Sequence, residues 1–75
     1  MTFDILECIV LTRDLVELGL RQGDLGTVVE VYPPDGLEVE FVAASGETQA
    51  VVSLSTQDVR KVSESDILAV RSLTA

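Results

Sequence analysis

Apolar positions in this chain recur at short intervals, and their spacing changes between segments that turn residues separate. Leu37-Glu38-Val39-Glu40-Phe41 alternates strictly, which predicts a strand with Leu37, Val39 and Phe41 facing a core and both glutamates facing water. Leu25-Gly26-Thr27-Val28-Val29-Glu30-Val31-Tyr32 is rich in β-branched residues and predicts a second strand. Between them, Pro33-Pro34-Asp35-Gly36 is a turn on chemical grounds: proline presets φ and lacks a ladder donor, and Asp-Gly tolerates positive φ. The two strands and this turn make a hairpin.

The same reading extends outward. Ile5 to Leu11 predicts a first strand, with Cys8 as a small buried hydrophobe inside it. Leu15 to Asp24 has no sustained period and carries Gly19 and Gly23, which predicts a folded-back loop with Leu18 and Leu20 tucked beneath it. Gly26, inside a strand, marks a bend or a close approach of the backbone. After the Ala44-Ser45-Gly46 turn, Glu47 to Leu54 predicts a strand with Ala50, Val52 and Leu54 on one face. Ser55 to Asp58 suits a single helical turn, and Val59 to Val62 a brief last strand. Ser63-Glu64-Ser65-Asp66 resembles a capping box ahead of Ile67, Leu68 and Val70, so a short C-terminal helix is expected there. The fold class is therefore mainly β: a small five-stranded SH3-like barrel over residues 1–62, with residues 63–75 a C-terminal tail or short helix.

Composition narrows the function more than the fold. The 75 residues suit one domain with a thin core, and the aromatic residues are Phe3, Tyr32 and Phe41 alone. Histidine is absent and there is one cysteine, which removes the commonest general base, a Ser-His-Asp relay, a thiolate metal site and an internal disulfide. No phosphate-cradling loop ending in Lys-Ser or Lys-Thr is present. The expectation is a protein that is not an enzyme and uses no cofactor. Thirteen acidic residues against five basic ones give a net charge of −8. Such a chain is repelled by nucleic acid and by anionic membranes, and its natural partner is a protein with a basic or neutral surface. Asp4 and Glu7 near the start argue against a signal peptide, and no apolar run has the length of a membrane span, so the cytoplasm is expected.

The candidate partner-binding residues are Glu30, Tyr32, Glu38 and Glu40. Glu38 and Glu40 share a strand face with Glu30 across the hairpin, a cluster suited to a basic partner, to weak capture of a hard cation, or to a plain solvated surface. Tyr32, beside two rigid prolines, suits an interface anchor of low entropic cost.

The block Gly23 to Val29, with Asp14-Leu15 before it and Val39 to Phe41 and Gly46 to Thr48 after it, resembles the bacterial domain-of-unknown-function family numbered 4926. The resemblance spans roughly residues 4–62; Glu7 stands where an aspartate is expected in the first strand. It implies a small SH3-like barrel and carries no activity, though an accessory or toxin–antitoxin role is consistent with it. An inhibitor that masks a basic active site is a sharper form of the same reading. A Gly-x-x-Gly-x-Val block is also similar to KOW-type modules, which makes a nucleic-acid- or ribosome-associated module the alternative. The chain has no basic residue between Arg21 and Arg60 to support that role. A homo-oligomer is compatible with all of this.

Overall fold

In the computed structural model the described residues are 2–73, and they form one five-stranded antiparallel sheet. The strands are β1 (Cys8–Leu11), β2 (Leu25–Tyr32), β3 (Gly36–Val42), β4 (Thr48–Ser55) and β5 (Val59–Lys61), and their order across the sheet is β4-β3-β2-β1-β5. The mainly-β reading holds. Closure does not: no ladder joins β4 to β5, because β5 is only three residues long and spends its pairing on β1, with Ile9 opposite Lys61 and Leu11 opposite Val59. The sheet curls around its own inner face instead of closing. Ile9, Leu11, Val28, Leu37, Val39, Phe41, Leu54 and Val59, which come from all of the strands, meet Phe3 and Leu20 in a single core. Burying each such side chain stabilises the fold by about 1.5–3 kcal/mol.

The hairpin expected around Pro33 to Gly36 is present, with Tyr32 opposite Gly36. Leu37, Val39 and Phe41 are all buried, and Ala50, Val52 and Leu54 pack on the same core. A 3₁₀ turn occupies Thr56–Asp58, held by a reciprocal cap: the Ser55 hydroxyl accepts from the Gln57 N–H, and the Asp58 carboxylate accepts from the Ser55 N–H. Gly26 marks a close approach. A Cβ there would lie 2.6 Å from the Val39 Cγ1 and 2.9 Å from the Phe41 ring.

Four further expectations are corrected. The first strand starts at Cys8 rather than Ile5, because Asp4 to Glu7 closes a turn in which the Glu7 N–H donates to the Asp4 carbonyl at 3.1 Å and the Asp4 N–H to the Glu7 Oε1 at 3.0 Å. Leu6 sits in that turn in the left-handed region, at φ 72°. Cys8 is exposed, not buried: with Ile9 and Leu11 pointing inward, period-two alternation turns Cys8 outward. Leu20 is buried beneath the loop as expected, whereas Leu18 is 42% exposed at the end of a 3₁₀ turn over Val16–Leu18.

The fourth correction concerns the tail, which forms no helix in its described part; Thr74 and Ala75 lie outside the described residues. Ser63 to Asp66 does make a turn in which Asp66 accepts from the Ser63 N–H at 2.7 Å, as half of a capping box would. Arg60 then takes the same carboxylate in a two-pronged contact at 2.9 and 3.0 Å, and the Ser63 hydroxyl engages Ser65. A helix continuing from this turn would be marginal unless packed, and Ile67, Leu68 and Val70 find no core to cover. The chain runs on without regular structure.

Candidate protein-interaction face

A bulge in β2 decides which way the candidate residues point. Thr27 lies opposite Glu40 and Val28 opposite Val39, but the next partners are Glu30 with Glu38, so Val29 is an extra residue on β2. Strict alternation would have placed Glu30 on the same side as Val28, which is fully buried. With the bulge, Val28 and Val31 both reach the core, and Glu30 and Tyr32 both turn outward. Glu30, Tyr32, Glu38 and Glu40 therefore share the outer face of one hairpin.

The face extends onto β4 through hydroxyl groups. Glu38 accepts a 2.6 Å hydrogen bond from the Ser53 hydroxyl, and Glu40 one of the same length from the Thr48 hydroxyl. Glu30 accepts from the Val31 N–H at 3.1 Å. Each carboxylate is thus oriented locally while its remaining lone pairs face solvent. Glu30 and Glu38 are like charges directly opposite in a ladder, an arrangement that costs up to about 1 kcal/mol. Tyr32 is 51% exposed at the end of this row. Its partner Gly36 leaves it room: a Cβ there would come within 3.2 Å of the Tyr32 Cβ.

The basic residues lie elsewhere. Arg13 pairs with Asp58, Arg60 with Asp66, Lys61 with Glu7 and Arg71 with Asp24, at 2.6–3.1 Å. These contacts hold the acids below the usual carboxylate range. For Asp24 the Arg71 guanidinium is the main cause, with the Arg21 N–H adding to it. For Asp58 it is Arg13, helped by the Ser55 N–H. Asp66 is lowered to about 2 by Arg60 and the Ser63 N–H. In Glu7 the Asp4 N–H leads and Lys61 follows. Lys61 also lies 5.4 Å over the Phe3 ring. These four cations thus tie loop, turn and tail segments to one another and to the sheet, and the stretch from Gln22 to Val59 contains no basic residue. The acidic excess is concentrated on the hairpins.

Among the described residues, no group of three or more acidic or cysteine side chains has an arrangement that could hold a metal ion. No helix among the described residues is long and apolar enough to cross a membrane.

Sequence reasoning missed one constellation. Arg71 reaches across 47 positions to Asp24: its Nε lies 2.8 Å from Oδ1 and its Nη2 2.6 Å from Oδ2, and Nη2 also donates to the Gly19 carbonyl at 2.8 Å. Asp24 does bond the amide of its own turn, Arg21 N–H at 2.8 Å, as its place in the loop suggests. The long-range partner leaves no local signal.

Compared with known proteins, residues 5–61 match the family model described as "Domain of unknown function (DUF4926)". Nothing matches among the curated proteins or among the solved structures.

Proposed function

This chain belongs to the DUF4926 family, and from that premise we propose that it is a non-enzymatic interaction module, a small acidic domain that docks by shape and charge on a protein with a basic surface. One observation carries the reading. The β2 bulge gathers Glu30, Glu38 and Glu40 on one outer face with Tyr32 at its end, in a stretch of chain without a cation. The carboxylates face water instead of a desolvated cleft, which suits long-range attraction better than acid–base chemistry. Charge of this kind steers association and sets partner choice, and Tyr32 supplies an apolar anchor beside it. The net charge of −8 weighs against an anionic partner, whether nucleic acid or membrane. The cytoplasm is the setting we assign to it.

The test is affinity capture from the native cell with the wild-type chain and with a Glu30→Lys, Glu38→Lys, Glu40→Lys variant. A partner that the wild type retains at low salt and the variant loses supports the reading. Equal recovery by both contradicts it.

A further inference from the structure

The tail is held in an unusual way for an apolar segment. Ile67, Leu68 and Val70 are 91%, 67% and 100% exposed, so their burial contributes little to docking. The Arg60–Asp66 turn holds it at one end and Arg71 at the other. The Arg71 seat is well built: both Asp24 oxygens and the Gly19 carbonyl converge on one guanidinium, and the Arg21 N–H fixes the carboxylate from behind. Paired oxygens at this spacing suit the fork of arginine and not the point charge of lysine. Beside the seat lies an open groove of about 480 Å³, lined by Leu20, Leu25, Phe41 and Val42 of the body and by Val70 and Leu73 of the tail. The tail borders this groove without filling it.

We propose that Asp24 and the Gly19 carbonyl form an arginine receptor. Arg71 occupies it in cis, and an extended segment of a partner protein, carrying an arginine flanked by small apolar residues, occupies it in trans by displacing the tail. The argument for that occupant is complementarity. A guanidinium already sits in the site, the surrounding chain is acidic, and the open groove that Asp24 itself helps to line is more apolar than polar. The tail is then a tethered competitor. It lies past residue 61, where the family match ends. This site involves none of Glu30, Glu38 or Glu40, and it stands or falls independently of the acidic face.

The test is an NMR titration of the full chain with a blocked peptide, Asp-Ile-Leu-Ala-Val-Arg-Ser-Leu, and with the same peptide carrying alanine in place of arginine. A tethered competitor weakens binding in proportion to the fraction of time it leaves the site free, so Arg71→Ala should bind the arginine peptide more tightly than wild type, by about tenfold for a site open about a tenth of the time. Shifts should centre on Gly19 and Asp24, and the alanine peptide should bind at least about tenfold more weakly, a loss of ~1.4 kcal/mol. Adding Asp24→Asn to Arg71→Ala should abolish the preference. If that double variant fails to fold, the two peptides on Arg71→Ala alone decide the matter. Equal affinity for the two peptides, no gain on removing Arg71, or no binding in the millimolar range would overturn the proposal.

Discussion

Gly26 and Val39 lie on neighbouring strands so close together that a single methyl group cannot fit between them. A Cβ built on Gly26 would stand 2.6 Å from the Val39 Cγ1 and 2.9 Å from the Phe41 ring. Val39 and Phe41 are both core residues, so neither can swing into solvent to make room. Gly26→Ala should destabilise the fold by about 1–3 kcal/mol, the usual cost of overpacking a filled core. Chemical denaturation measures this. A loss below about 0.5 kcal/mol, the range of an ordinary surface change, would mean that the β2–β3 contact is looser than described.

Asp58 serves two partners at once, the Ser55 N–H at 3.0 Å and Arg13 at 2.8 Å. Asp58→Ala removes one arm of the cap and the ion pair together, and should lower stability by about 1–2 kcal/mol. Arg13→Ala removes only the more exposed pair and should cost under about 1 kcal/mol. Denaturant midpoints in that order are the expected result; a larger effect from Arg13→Ala would place the weight on the ion pair.

Acid should unfold the protein over a defined window. Glu7, Asp24, Asp58 and Asp66 are all lowered by partners that exist only in the folded chain. Between their folded and unfolded values the unfolded chain binds more protons, so stability rises with pH there. Their contribution is complete above about pH 5, where free carboxyls have ionised, and it is lost as pH falls toward the folded values, which reach about 2 for Asp66. Melting temperature should therefore fall between about pH 5 and the Asp66 value of about 2, and Asp24→Asn should flatten that fall. A melting temperature that climbs steadily on acidification would mean that relief of repulsion in a chain of charge −8 outweighs these pairs.

The hairpin was legible in the amino-acid sequence because three local signals agree there. The Pro33 to Gly36 turn, the alternation from Leu37 to Phe41 and the β-branched run before them all specify the same antiparallel pair. The Thr56–Asp58 turn was legible for a similar reason: it is short, polar and bounded by strands. The bulge at Val29 was not, since Val28-Val29 reads as apolar in either register and only the packing of Val28 and Val31 decides between them. The grouping of Glu30 with Glu38 and Glu40 is thus legible in the sequence, and the device that turns it outward is not. The tail misled for a physical reason as well. Ser63 and Asp66 give a genuine helix-start signal, but the apolar residues after them have no face to bury, and the ion pairs that hold the segment come from Arg60 and from Asp24. Contacts made over 47 positions leave no trace in a local pattern.

We propose the outer face of the β2–β3 hairpin as a docking surface for basic protein. It is tested most directly by titrating the isotope-labelled chain with a blocked lysine-rich peptide, which favours this face over the Asp24 seat. Amide shifts should cluster at Glu30, Tyr32, Glu38 and Glu40 and on the facing part of β4, with an affinity that weakens as salt is added and is lost in the Glu30→Lys, Glu38→Lys, Glu40→Lys variant. Shifts spread evenly over the acidic surface, or a titration unchanged by that triple reversal, would contradict it.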